Sequence, residues 1–336
     1  MPRRLHPFTT LALAAVIAAV ICARADTLVA CVLVFMAYGF TLLEFKKYTS
    51  RFQFGMLLLC GPLLGLVLDL PHGGFPLLTL SLLLAAVATD LRQAFMPRFT
   101  YINHLWVEPA LLSVALVLYG IAVLHTGLLW DTVLAPLLPL GFACSLSFGY
   151  IQDGRLLRRQ AFHGYRIQVG TPAPDFELPD QNGHPVRLSE HFGRHPVLLI
   201  FVRGDWCPGC HMMLRTYERS RERFLEKGVH VIGIGPDSVD VNMDMVRRIG
   251  VGYKLLSDTE QRVSQHYGVV YNNPIIESAV DYAKGIPLPA SFLLDGEGIV
   301  RYVSRPDRVG EFLDPALIFG VLDQLPRAGE PAWKAA

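Results

Sequence analysis

Six long apolar runs fill the first 150 residues, and they limit the fold more than any other feature of the chain. They cover Leu5–Ala23, Thr27–Phe45, Phe52–Leu70, Phe75–Leu91, Leu105–His125 and Leu128–Tyr150. Each holds about 17–23 residues, the length at which a helix rising 1.5 Å per residue crosses roughly 30 Å of hydrocarbon. The fourth is the shortest. The second run begins four residues after the first, with no small-residue cleavage site between them. A polytopic all-α bundle of about six membrane helices is therefore expected rather than a removable signal peptide. The whole chain is 52% apolar and 18% charged, too apolar for an ordinary soluble protein. That figure averages two unlike halves, and the break falls near Tyr150.

The basic residues set an orientation, because basic loops resist translocation. Arg3, Arg4, Lys46, Lys47, Arg51, Arg92, Arg98, Arg155, Arg158, Arg159 and Arg166 fall on one side of the expected bundle, and Arg24 alone on the other. Both termini are then expected on the cytoplasmic side of a cell membrane, with the lipid bilayer as one partner. Cys22, Cys31, Cys60 and Cys144 are scattered through the spans without a C-x-x-C pair and read as small apolar residues. A net charge of +1 gives no reason to expect a nucleic-acid partner.

After Gly170 the pattern changes to short apolar runs alternating with amphipathic stretches. "PVLLIFVR" (Pro196–Arg203) and "VHVIGIG" (Val229–Gly235) read as central strands covered on both faces. "CHMMLRTYERSRERFLEKG" reads as a helix ending at Gly228, and "SVDVNMDMVRRIG" as another. "YKLLSD" is a short strand, and "DTEQRVSQHYG" a helix with Asp258 as N-cap. "ASFLLDGEGIVRYVSR" reads as two strands around a tight Asp295–Gly296 turn, and a last helix covers Glu311–Gln324. This mixture predicts an α/β sandwich. The expected division is a helical membrane domain over 1–150, a basic linker over 151–169, the α/β domain over 170–326 and a tail over 327–336.

The chemistry sits in "FVRGDWCPGCHMML" (Phe201–Leu214). Cys207 and Cys210 follow a central strand and open a helix, where first-turn amides lack partners and the helix dipole is positive. A thiolate there is stabilised and reactive near neutral pH. Pro208 suits the first helical turn. With two residues between the sulfurs, one faces solvent and the other reaches it, so a disulfide forms and reopens. Asp205 and Trp206 shape the entrance to this site. "CPGCH" also fits the C-x-x-C-H pattern of haem attachment, with His211 as ligand. A zinc site would need a second ligand pair, which this half lacks. His211 reads better as a surface or helix-turn residue beside the thiolate, and no cofactor or metal is expected.

"GTPAPDFELPDQNGHPVRLSEHFGRHPVLLIFVRGDWCPGC", "LLSDTEQRVSQHYGV" and "PLPASFLLDGEGIVRY" resemble, in order, segments of the peroxiredoxin family that includes alkyl hydroperoxide reductase and thiol-specific antioxidant proteins. The resemblance covers about Gly170 to Leu325 and implies a thioredoxin fold. Family members place a Pro seven residues, and a Thr or Ser three residues, before the peroxide-attacking cysteine. If Cys210 takes that cysteine's place, Arg203 and Cys207 stand at those positions. Pro289 stands where the family has a peroxide-binding Arg. These departures run toward the thioredoxin pattern, in which W-C-x-x-C works opposite a cis-proline.

The first reading is therefore a membrane-anchored thiol–disulfide oxidoreductase, with Cys207 attacking and the less exposed Cys210 resolving. Trp206, Pro208, Pro289 and Arg203 support the pair, and Pro289, plausibly cis, presents backbone to the substrate chain. The alternative is a peroxidase in which Cys210 attacks a hydroperoxide and Cys207 resolves the sulfenic acid, with Arg203 or Arg301 supplying the missing positive charge. A non-catalytic tethered adaptor is the third reading. The expected partners are a protein disulfide or peroxide substrate and a thiol electron donor such as a thioredoxin or glutathione system.

Overall fold

The computed structural model describes residues 7–45, 51–71, 73–94, 104–127, 130–161, 165–282, 284–304 and 314–324. Arg3, Arg4, Lys46, Lys47, Arg98, the start of the last expected helix and the expected tail lie outside them. The chain divides into two compact units, with the division inside a helix between Gly154 and Arg155.

The first unit is helical: α1 (Pro7–Cys22), α2 (Thr27–Phe45), α3 (Arg51–Asp69), α4 (Leu77–Ala94), α5 (Val107–Thr126), α6 (Trp130–Leu134) and α7 (Leu137–Ala161). Of the described helical stretches, Val107–Thr126 and Asp131–Arg159 are long and apolar enough to cross a membrane. The apolar parts of the other four are 10–17 residues long. The sixth expected span is broken ahead of Leu137 at Pro136, which has no N–H to donate, and then runs on past Tyr150 to Ala161. α3 and α4 approach closely at Gly65, where a Cβ would sit 2.5 Å from the Cα of Thr79. Asp69, at the end of α3, accepts the Leu78 and Thr79 amides at 3.3 and 2.8 Å and so satisfies the open start of α4.

The second unit has a thioredoxin fold. It opens with a hairpin, β1 (Glu177–Pro179) and β2 (Pro185–Arg187), and a 3-10 turn at Leu188–His191. Then come β3 (Val197–Phe201), α8 (Pro208–Arg219), α9 (Arg221–Glu226), β4 (His230–Gly235), α10 (Val239–Ile249), β5 (Lys254–Ser257), α11 (Arg262–Tyr267) and β6 (Val270–Tyr271). The chain closes with α12 (Pro274–Val280), β7 (Ile286–Pro287), β8 (Ala290–Leu294), β9 (Val300–Val303) and α13 (Pro315–Leu322). The main sheet runs β5-β4-β3-β8-β9. β3, β4 and β5 are parallel, whereas β8 pairs antiparallel with β3 and with β9.

β3 explains why the sequence folds this way. All five of its residues are buried. Val197, Leu199 and Phe201 enter the core on one face, and Leu198 and Ile200 the core on the other. A continuous apolar run of strand length is what a centre strand covered on both sides requires.

Three expectations change in detail. The helix expected over Cys210–Gly228 begins at Pro208 and is interrupted at Ser220, whose φ/ψ of −98°/2° leaves the helical region. Asp258 lies three residues ahead of the first N-cap position of α11, Gln261, yet its carboxylate still accepts the Val263 and Ser264 amides at 3.4 and 2.8 Å. The turn between β8 and β9 is five residues rather than two, because Asp295 Oδ1 accepts the N–H groups of both Glu297 and Ile299.

The core on the first face is aromatic. The Phe292 ring of β8 meets Tyr165, Phe201 and Tyr267 at centroid separations of 5.5, 5.6 and 5.3 Å. Removing this fully buried ring leaves a cavity that strands on both sides cannot close. Phe292→Ala is expected to destabilise the domain by about 3–5 kcal/mol, read as a shift in the denaturant midpoint.

Candidate functional site

The site forms where β3 stops. Val202 continues the ladder, its N–H donating to Ile234 O at 2.9 Å. Gly204 then turns the chain with φ +127°, a region that side chains avoid. The space is closed as well. A Cβ on Gly204 would lie 2.1 Å from Tyr282 Oη, 3.1 Å from Trp206 Nε1 and 3.2 Å from Asp237 Oδ2. Only a residue without a side chain lets the strand end here and the next helix begin four residues on, at Pro208.

Cys207 is the N-cap of α8, with extended backbone and Pro208 in the first helical turn. Its Sγ accepts the Cys210 amide at 3.3 Å. The two sulfurs are 2.9 Å apart, and the Arg203 amide donates to Cys210 Sγ at 3.2 Å. The sequence expectation of a pair at a helix start, close enough to bridge, is therefore met in the geometry. The expectation that Cys207 faces solvent is not: Cys207 is 2% exposed and Cys210 0%. Both belong to the apolar core cluster that includes Val202, Met213 and Leu214, with Trp206 packed against it.

Arg203 carries the positive charge. Its guanidinium is 4.8 Å from the Trp206 ring centroid and 5.5 Å from that of Tyr271, and it donates to Tyr271 Oη. A buried guanidinium needs anionic and hydrogen-bonding partners, and a thiolate beside it provides one. Arg301, the other expected source of charge, is engaged at 2.6 Å with Asp295 in the β8–β9 turn. Burial alone would push the Cys207 thiol up. The Cys210 hydrogen bond, the Arg203 charge, the Cys210 amide and His211 outweigh it, so Cys207 is pulled down to about 6. Cys210 moves well above the usual thiol range through burial and the neighbouring Cys207 sulfur. The pair is asymmetric: one thiolate, one thiol.

Of the two positions expected for His211, surface or helix turn, it takes the second: it lies in the first turn of α8 and is buried. Its Nε2 is 3.0 Å from Asp205 Oδ1, so the ring is engaged by a carboxylate on the loop ahead of the pair. Asp205 also receives Arg248 of α10, which pairs with Asp244 at 2.7 Å. Burial opposes ionisation of Asp205, but His211 and Arg248 together hold it below the usual carboxylate range. The Asp205 amide donates to Asp237 Oδ2 at 2.7 Å, and Tyr282 Oη donates to Asp237 Oδ1 at 2.6 Å. Burial pushes Asp237 up.

Pro289 is buried just ahead of β8, whose Ala290 pairs with Phe201, so it flanks the same end of the sheet as Arg203. The described residues contain no cis peptide bond, which corrects the expected cis-proline. The chain passes from β7 to β8 in an extended run that a trans bond serves. Among the described residues, no group of three or more His, Cys, Asp or Glu is arranged to hold a metal ion.

Sequence reasoning found Cys207, Cys210, Arg203 and Trp206 but not Asp237, Arg248, Tyr271 or Tyr282. Asp237 had a usable signal. It follows β4, and the C-terminal ends of adjacent parallel strands converge on one edge. The two tyrosines had none, since they come from an excursion that periodicity does not reveal.

Residues 169–303 match the AhpC/TSA family. The chain is 31% identical over 138 residues to peroxiredoxin Q, chloroplastic, of Oryza sativa subsp. japonica, an alignment covering 41% of this chain and 59% of that protein. It is 30% identical over 138 residues to peroxiredoxin Q, chloroplastic, of Sedum lineare, covering 41% and 69%. The chain thus spans about three fifths of the length of its rice relative. Among solved structures, peroxidoxin BcpB from Mycobacterium tuberculosis is similar at 27% identity and a TM-score of 0.42, covering 48% of this chain and 99% of that one.

If the Arg203 guanidinium holds the Cys207 thiolate, Arg203→Met raises the pH at which Cys207 becomes reactive. Alkylation of Cys207 by iodoacetamide in the reduced protein with both cysteines intact, followed by peptide mapping, is expected to show a midpoint of about 6 with Arg203 present and at least one pH unit higher without it, about 1.4 kcal/mol of lost thiolate stabilisation.

Proposed function

The chain belongs to the AhpC/TSA family through residues 169–303, and on that premise we propose that its C-terminal domain is a thiol peroxidase working through Cys207 and Cys210. The observation that carries the reading is the enclosed, asymmetric pair: a thiolate and a thiol 2.9 Å apart beside a buried guanidinium. Peroxide reduction is the second of the three sequence readings, there with Cys210 attacking, and the relatives support it over dithiol exchange. So does the enclosure, because a hydroperoxide brings only two small oxygens to the sulfur.

The Cys207 thiolate attacks the terminal oxygen of a hydroperoxide, and the O–O bond breaks. Cys207 becomes a sulfenic acid, and the leaving alkoxide takes the Cys210 proton to become an alcohol. The Cys210 sulfur then displaces hydroxide from the sulfenic sulfur, forming the Cys207–Cys210 disulfide, and the hydroxide leaves as water after taking a proton from solvent. Two electrons have passed from the thiol pair to the peroxide. Two equivalents of an external thiol, of the thioredoxin or glutathione class, restore the pair.

The family's motif gives the attacking role to Cys210, whereas the hydrogen bonds and charge around the sulfurs favour Cys207. Trapping with dimedone distinguishes them. Cys210→Ser is expected to retain a single hydroperoxide turnover and accumulate the sulfenic acid on Cys207. Cys207→Ser is expected to lose at least about 10³-fold in rate, as an enzyme does without its nucleophile. Adduct only at Cys210 would reverse the roles, and no hydroperoxide consumption by the intact protein would overturn the reading.

The helical unit is proposed as a six-span membrane anchor with both termini cytoplasmic. The six apolar segments and the bias of basic residues to one set of loops support this. A fluorescent protein fused at the C-terminus is expected to light up, and a periplasm-dependent phosphatase fused there to stay silent. The opposite pair of results would mean that one span is miscounted.

A further inference from the structure

Both tyrosines that meet the site loop come from one excursion of the chain. It starts at β6 and ends at β7, which form a two-stranded sheet of their own and pair Tyr271 with Ile286. Between them α12 is closed at its start by reciprocal bonds. Asn273 Oδ1 accepts the Ile276 amide at 3.4 Å, and Glu277 Oε1 accepts the Asn273 amide at 2.7 Å. Asp281 ends the helix with φ +60°. Near the return, Gln261 Nε2 donates to Gly285 O at 2.7 Å, and Lys284 pairs with Glu260. The excursion is thus held at its start, its helix and its return.

It grips the redox loop at two points. At its base, Tyr271 Oη takes a hydrogen bond from Arg203, the first residue of the 203–206 loop. At its far side, Tyr282 Oη donates to Asp237 at 2.6 Å, and the other oxygen of that carboxylate holds the Asp205 amide of the same loop. The Tyr282 hydroxyl fills the space above Gly204, beside Trp206 Nε1. Loop and excursion therefore share one carboxylate and one guanidinium, and the loop leads directly into Cys207, which with Cys210 is 2% and 0% exposed.

This has a consequence for substrate choice. Dithiol exchange passes through a mixed disulfide, so a whole polypeptide must stand against the attacking sulfur. Peroxide reduction asks only that two oxygen atoms reach it. We propose that the 271–286 excursion, fastened by Tyr271 on Arg203 and by Tyr282 on Asp237, is the specificity determinant of the site: it admits small hydroperoxides to Cys207 and shuts out disulfides carried on protein chains. The inference rests on the peroxidase reading and adds to it the element that separates the two chemistries a C-x-x-C pair can perform. Tyr282 acts here by position, not by touching the reacting atoms.

The full chain in detergent tests this with two substrates, tert-butyl hydroperoxide and insulin, under one reductant. The wild type is expected to favour the hydroperoxide strongly. Tyr282→Ala, which removes the ring and its bond, is expected to raise insulin reduction relative to hydroperoxide turnover at least tenfold and to speed labelling of Cys207 by a polyethylene-glycol maleimide. Tyr282→Phe, which keeps the ring and loses the bond to Asp237, is expected to give a smaller rise in the same direction. A wild type that reduces insulin as readily as hydroperoxide would sink the proposal, and so would a Tyr282→Ala protein with wild-type melting and an unchanged ratio. Should Tyr282→Ala fail to fold, Tyr282→Phe and Asp237→Asn carry the test, and unchanged ratios in both overturn it. A wild type with no hydroperoxide turnover is a different failure, that of the peroxidase reading.

Discussion

An ionised sulfur can be carried into a protein interior only if positive charge and hydrogen-bond donors come with it. Around Cys207 these come from three sources a few residues apart: the open amides at the start of α8, the S–H of Cys210 and the guanidinium of Arg203. Each depends on β3 ending where it does. Were the strand to run one residue further, Arg203 would be a ladder residue and its amide would not reach Cys210 Sγ. The glycine turn, the position of the helix cap and the buried cation are one solution to one electrostatic problem.

A second layer of charge keeps that solution in place. Asp205 lies between His211 and Arg248, and Asp237 between the Asp205 amide and Tyr282. The loop that presents the pair is thus held by two carboxylates through groups from α8, α10 and the α12 segment. Half-buried carboxylates of this kind cost stability unless their oxygens are matched, and here each oxygen named has a partner.

Much of the second unit was legible because its strands are apolar on both faces and its helices are not. "PVLLIFVR" and "VHVIGIG" have no other reasonable reading, and the pair of cysteines after the first of them declares a site. Residues whose roles depend on topology were harder to read. Tyr282 is 75 residues from Cys207 in the chain, and only the return of β7 beside β6 brings it near. The exposure of Cys207 was misjudged because it joins an apolar core cluster whose members run from Leu198 to Phe319 and come together only in the fold. The burial of His211 was not legible, because its partner Asp205 is recognisable only once the loop is folded. In the helical unit, helical character was legible but helix ends were not: Pro136 broke a run that reads as continuous from its apolar residues alone.

The crowding at Gly204 ties two positions that lie far apart in the chain. A methyl group there would occupy the place of the Tyr282 hydroxyl, so neither residue can change freely while the other stays. Among descendants of this sequence, a side chain at 204 and a tyrosine at 282 should be mutually exclusive. That covariation would mark which descendants have kept the cover over their thiols and which have traded it for an open groove.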